Sequence, residues 1–305
     1  MIKNLIRINS LLSLCLAYCI NVVAQKTEID LFVSKTLTAP GSFTSGVEGP
    51  AVDKDGNLYA VNFQKQGTIG KITPTGEASI FLELANGSIG NGIRFGKKGH
   101  MYIADYTNHN ILEVDMQSRQ IKTFAHDSTM VQPNDIAITR NNTFYASNPY
   151  WKASTGSIWY ANRSGKIKML EGNMGTTNGI EVSPDNKLLY VNESVQRKVW
   201  AYRIKHNGKL RNKKLLIEFT DYGMDGMRCD SKGNLYIARY GKGVVAIISS
   251  EGKLIREVKL IGQKPTNVAF GGVDGKTVYI TMQDTGNIEY FRTDTAGQEW
   301  MLMHQ

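Results

Sequence analysis

Short apolar runs separated by turn residues recur along the whole chain, and no segment holds a helical period for long. The stretch "GNLYIA" around Tyr236 is typical. A core of β-forming residues follows a Gly-Asn pair, the signature of a strand leaving a hairpin. Its relatives stand at Tyr59 ("GNLYAV"), Tyr102 ("GHMYIA"), Tyr145 ("NTFYAS"), Tyr190 ("KLLYVN") and Tyr279 ("KTVYIT"), at intervals of 43, 43, 45, 46 and 43 residues. Another short apolar run precedes each tyrosine: "PAVD", "IRFG", "IAIT", "IEVS", "MRCD" and "VAFG", joined to it by turns such as "DKDGN" and "DSKGN". A repeat of this length built from hairpins is that of a four-stranded propeller blade. The pattern predicts an all-β chain, a six-bladed β-propeller of four-stranded blades, with residues 26–305 as one domain. Only 26 residues follow Tyr279, enough for one more strand and a tail. The early stretch "EIDLFVS", residues 28–34, is expected to supply the outer strand of the last blade and close the ring against edge pairing.

A second periodicity runs beside the first. The residue ahead of each upstream run is Glu48, Asn91, Asn134, Asn178, Asp225 or Asn267, at intervals of 43, 43, 44, 47 and 42. Such residues are poor strand formers and costly to bury unpaired. Because the first strand of a blade lines the central channel, these positions are expected to send six oxygen-bearing side chains to one axis. Singly, each reads as an Asx-turn before a strand; six together, two of them acids, read as a site. Carboxylate and amide oxygens without thiolate or imidazole describe a hard-cation centre, Ca2+ first, with Mg2+, Mn2+ or Zn2+ left open. The five histidines occupy no repeated position.

Composition narrows the partners. At 41% hydrophobic and 21% charged residues, the chain can bury a core. Residues 1–25 stand apart: Lys3 and Arg7 precede the apolar run "LLSLCLAYCINVVAQ", with small Ala24 near its end, the form of a cleaved signal peptide. The run is short for a membrane span. The expectation is a monomer exported to the periplasm or secreted, without stable membrane insertion. Without the leader Cys229 is the one cysteine left, inside an apolar strand. It then reads as a core residue, and no internal disulfide can form. The net charge of +9 falls to about +7 without Lys3 and Arg7. The densest basic stretch, "KHNGKLRNKK" at 205–214, reads as a solvated hairpin tip with no interleaved aromatics, so nucleic acid is set aside.

The motifs "EGPAVD" (48–53), "PNDIAI" (133–138), "TNGIEVSPDNKLLYVNES" (177–194), "DGMRCDSKGNLYIA" (225–238) and "PTNVAFGGVDGKTVYIT" (265–281) follow one another along nearly all of the mature chain. Together they resemble the senescence marker protein, gluconolactonase and luciferin-regenerating family of six-bladed propellers, lactone hydrolases among them. The resemblance implies a calcium-dependent hydrolase of a lactone or related ester. It implies Glu48, Asn178 and Asp225 as metal ligands, with Asn134 as ligand or substrate contact. Three departures bear on the substrate. Gln132 stands where sugar-lactonase members place Arg, "YASNP" with Asn148 replaces the "FTDP" of many bacterial members, and Met224-Asp225-Gly226 replaces "PDG". The stretch "MYIADYTNHNILEVD" at 101–115 resembles an NHL repeat instead. The alternative is therefore a non-catalytic binding propeller with a structural ion, recognising a carbohydrate or peptide.

A lactone carbonyl held on such an ion would develop its charge beside a Lewis acid. Asp225 is the candidate base or nucleophile, and Glu48 the more structural acid. Candidate substrate contacts are Asn91, Asn134, Asn267, Gln132 and Tyr150, the last beside Trp151 in a loop after the third tyrosine-bearing strand. No Gly-x-Ser-x-Gly elbow supports serine chemistry.

Overall fold

Six antiparallel four-stranded sheets make up the described part of the chain, residues 30–304 of a computed structural model. The leader expected at residues 1–25 lies outside the described residues. Each sheet opens with one of the apolar runs. The innermost strands are Phe43–Val52, Gly90–Phe95, Ile136–Ile138, Thr177–Val182, Met227–Cys229 and Pro265–Gly271. Each pairs with the tyrosine-bearing strand that follows it, and two further strands complete the blade outward. The first and last innermost strands pack against each other, which closes the ring. The architecture is the all-β six-bladed propeller expected.

The hairpins form where polar side chains can cap their own turns. Asp53 Oδ1 accepts the N–H groups of Asp55 and Asn57, both at 2.9 Å, while Gly56 takes φ +82°. Asp230 repeats the arrangement with Lys232 and Asn234, again at 2.9 Å. The recurring tyrosine has a packing cause. Tyr59 meets Phe95 of the next blade at 5.6 Å between ring centroids, Tyr102 meets Phe144 at 4.6 Å, and Tyr236 meets Phe270 at 4.9 Å. Such aromatic pairs contribute about 0.5–1.5 kcal/mol each beyond their burial, so the ring at this position wedges neighbouring blades together. Cys229 is buried in a cluster with Met227, Leu235 and Ile237, as expected of a core thiol.

Two details differ from the sequence reading. The outer strand of the last blade is Lys35–Thr36, paired with Tyr290 and Glu289, so closure begins just past the expected 28–34. Leu31 makes only an isolated bridge to Arg292. Phe32 takes φ +61° and packs at 6.3 Å on Phe291; residues 28–29 of the expected strand lie outside the described residues. The second difference is a C-terminal helix, Gln298–Met303, too short to show a period. Among the described residues no helix is long and apolar enough to cross a membrane.

Candidate metal centre

A break in ladder register accompanies the approach of the expected residues to the axis. In blade one Glu48 pairs with Val61 and Ala51 with Tyr59, three residues against two. Blades two and four carry the same extra residue, at Gly90–Ile93 and Thr177–Ile180. This is a β-bulge, which re-aims a side chain at the end of a strand. In blades three and five the strand starts only after the axial residue, which is anchored by its backbone: Asn134 N–H donates to Ser147 O at 3.0 Å and Asp225 N–H to Ala238 O at 2.9 Å. Glycines follow Glu48, Asn91, Asn178 and Asp225. A Cβ at Gly92 would lie 2.5 Å from Asp135 Oδ1, and one at Gly226 would lie 1.9 Å from Asn267 Cγ. Each of these two glycines leaves room for a polar side chain of the next blade.

At the mouth, the carboxyl groups of Glu48 and Asp225 lie within reach of each other's charge, with the Asn178 side chain beside Asp225. Glu48 Oε2 also accepts from the Gly49 N–H and from Asn267 Nδ2, the latter at 3.0 Å. Burial, then the charge of Asp135, pushes Glu48 up to about 7. Burial, then the charge of Glu48, pushes Asp225 well above the ordinary carboxylate range. Two acids this close cannot both ionise unless something positive joins them. Beside them Asn134 Oδ1 and Asn178 Oδ1 are buried and accept no hydrogen bond, an arrangement that costs about 1–3 kcal/mol per atom when left so. Two carboxylates with two bare amide oxygens fit a hard cation, and calcium above softer metals. Among the described residues no three His, Cys, Asp or Glu side chains gather as a metal cage, so the fit depends on the amides.

Beneath the mouth lies a charged layer that the sequence reading missed. Asp135 is fully buried between Arg94 Nη1 at 3.1 Å and Arg228 Nη1 at 3.3 Å. Arg228 Nη1 also donates to Asn267 Oδ1 at 3.0 Å. From the C-terminal helix, Glu299 reaches Arg94 Nε at 2.8 Å, and Gln298 Nε2 donates to Glu181 Oε1 at 2.8 Å. The helix thus reaches the charged layer from the end opposite the mouth. Two guanidinium groups face Asp135, Glu181 and Glu299, one acid too many. Burial, opposed by Arg94, leaves Glu181 pushed up to about 8. The sequence did carry a signal. The residues opposite the six tyrosines are Ala51, Arg94, Ala137, Glu181, Arg228 and Ala269; charges in strands otherwise apolar mark positions facing the channel.

That register corrects one expected position. Three residues before the tyrosine's partner stand Glu48, Asn91, Asn134, Asn178 and Asp225, but in blade six that place belongs to Thr266. Asn267 is one step further, in phase with Asp135, and fully buried. Its amide is engaged by Glu48, Asp135 and Arg228, which holds Glu48 in place. Asn91 is partly exposed and spends Nδ2 on Asn134 O at 3.0 Å, which fixes the Asn134 backbone. Asn148 is buried, accepting the Gln132 N–H at 2.8 Å and donating to Ser157 Oγ at 3.0 Å.

Gln132, Trp151 and Tyr106 come together at the mouth. The Tyr106 hydroxyl lies beside Trp151 and Gln132, and close enough to feel the charge of Asp225; burial is the main cause of its raised pKa. Tyr106 was not expected there. Tyr150 and Trp151 are 42% and 39% exposed, and of the two Trp151 is the one that lies beside Tyr106.

The sequence model of the SMP-30/Gluconolactonase/LRE-like region matches residues 43–284. The chain is 26% identical to a gluconolactonase of Zymomonas mobilis, over 88% of this chain and 84% of that protein. It is 24% identical to the diisopropyl-fluorophosphatase of Loligo vulgaris, over 88% and 94%. Among solved structures, a calcium-binding regucalcin of Agrobacterium tumefaciens superposes with a TM-score of 0.76 at 20% identity, over 87% of this chain and 95% of that one; at that identity it supports the fold.

Proposed function

The chain belongs to the SMP-30/Gluconolactonase/LRE-like family, and from that premise we propose that it is a calcium-dependent hydrolase of a lactone or related carboxylic ester. One observation carries the reading. The channel mouth holds two neighbouring buried acids, Glu48 and Asp225, next to the unpartnered oxygens of Asn134 and Asn178. Those four side chains would hold the ion. When bound, the ion would supply positive charge to polarise the ester carbonyl and stabilise the oxyanion.

The chain's own residues do the rest. Asp225 is the group that takes a proton from water or attacks the carbonyl carbon. Of the two mouth acids it keeps the greater exposure, whereas Glu48 is held by Gly49 and Asn267. A carboxylate that also neutralises a cation is a weak base, so the reaction suits an activated ester such as a lactone. Trp151, Tyr106 and Gln132 offer a neutral rim to the substrate, with no cation at position 132 to grip an aldonate. Hydrolysis of a panel of sugar lactones, aliphatic lactones and aryl esters, with and without chelator, tests the reading. Chelator-sensitive turnover, lost by at least about 100-fold in Asp225→Asn with the fold intact, supports it. Metal binding without turnover of any member would leave a binding propeller with a structural ion.

A further inference from the structure

We propose that the protein carries a second binding site, for the phosphate or sulfate monoester of a small molecule, on the face opposite the channel mouth. The innermost strands run from the axial residues to a far rim made of hairpin turns. In that rim a cavity of about 650 Å³ opens between blades three and four, within the roughly 300–1,000 Å³ typical of small-molecule sites. Turns 139–143 and 162–164 form one wall; Asn186 and turn 204–208 form the other. This absorbs the start of the basic stretch at 205–214, which as sequence reads only as a solvated tip.

The lining is one-sided chemically. It brings Arg163, Lys205 and His206 together and contains no Asp or Glu. Two of its amides, Asn162 and Asn186, have spent their oxygens on backbone N–H groups of the turns. Asn162 Oδ1 accepts the N–H groups of Ser164 and Lys166 at 3.0 and 2.9 Å, and Asn186 Oδ1 accepts that of Arg140 at 2.8 Å. Their NH2 ends are left as donors. Arg163 donates Nε to Asn141 O at 2.6 Å, which orients the guanidinium and leaves its terminal nitrogens without a protein partner among the described residues. A planar fork of this kind matches two oxygens of a phosphate or sulfate group. Gly208 has a reason to be glycine: with φ +76°, a Cβ there would lie 2.3 Å from Tyr160 Cε2. The turn can therefore lie against the tyrosine ring, which gives the body of the ligand an aromatic wall. Cations and donors select the oxyanion, and the remaining volume selects an ester over the bare ion.

The test is a titration of the mature protein at constant ionic strength with glucose 6-phosphate, glucose 6-sulfate, inorganic sulfate and glucose. Calorimetry gives the affinity, and amide chemical shifts give the place. Expected are saturable one-to-one binding of both esters, weaker binding of inorganic sulfate, none of glucose, and shifts centred on Ser164, Lys166 and Lys205. The relative affinity of the two esters identifies the preferred oxyanion. Arg163→Gln should weaken ester binding by about fivefold or more, and Lys205→Gln by about threefold. Lys253→Gln, which removes one charge from an exposed turn of blade five, should change it less than about 1.5-fold. Ester binding indifferent to Arg163→Gln and Lys205→Gln, or weakened as much by Lys253→Gln, or matched by glucose, overturns the proposal.

Discussion

Glu181→Gln should make the folded protein less sensitive to alkali. Glu181 is buried where three acids face two arginines, and its carboxyl is pushed from 4.5 to about 8, chiefly by burial. The sign follows from linkage. Below pH 4.5 the group is protonated in both folded and unfolded chains and costs nothing. Between 4.5 and 8 the unfolded chain releases the proton and the folded one keeps it, so stability falls as pH rises. Above 8 the cost is constant. At about 1.4 kcal/mol per pKa unit, it is on the order of 3–5 kcal/mol. Glutamine keeps an oxygen to accept from Gln298 Nε2 and the Val182 N–H, both at 2.8 Å, and gives up attraction to Arg94 Nη2 at 3.6 Å. Urea unfolding across pH 5–9, with calcium in excess so that the mouth acids stay ionised, should find the two proteins within about 1 kcal/mol at pH 5 and the variant more stable by roughly 3 kcal/mol at pH 9. A variant less stable by a constant amount at every pH would refute the reasoning, because Glu181 would then be an ionised partner of Arg94.

Two further outcomes can be checked. Gly226→Ala places a Cβ 1.9 Å from an Asn267 side chain already wedged among Glu48, Asp135 and Arg228. Overpacking of that kind costs about 1–3 kcal/mol, read as a lower urea midpoint, and a neutral result would show that Asn267 can yield. Trp151→Ala removes the exposed aromatic neighbour of Tyr106; with a lactone found to turn over, KM should rise about three- to tenfold while kcat holds within about twofold, and a collapse of kcat alone would place Trp151 in the chemistry instead of the rim.

The ring was legible because one packing wedge, the tyrosine at each blade interface, is also a strand former beside a turn. Its spacing therefore reports the blades directly. The mouth residues were legible for the opposite reason: an acid or amide stands where a buried strand begins. Blade six misled because its turn is longer. The residues between Gly271 and Thr277 displace the count from Tyr279, so by spacing alone Asn267 falls in a place that the ladder gives to Thr266. The charged layer hid because three of the six positions opposite the tyrosines are alanine and only three carry a charge, and no short motif spans three blades. Neither the reach of Gln298 and Glu299 into that layer nor the approach of Tyr106 to Gln132 leaves a local trace, since each joins segments distant in sequence.

Calcium titration of the chelator-treated protein by calorimetry is the most direct measurement of the central claim. One ion per chain should bind, with affinity falling at least about 100-fold in Glu48→Gln and about tenfold in Asn178→Ala, the ratio expected of charged against neutral oxygen donors. If no calcium binds, or if it binds as tightly once Glu48 and Asp225 are both amides, the two acids at the mouth do not make a metal site.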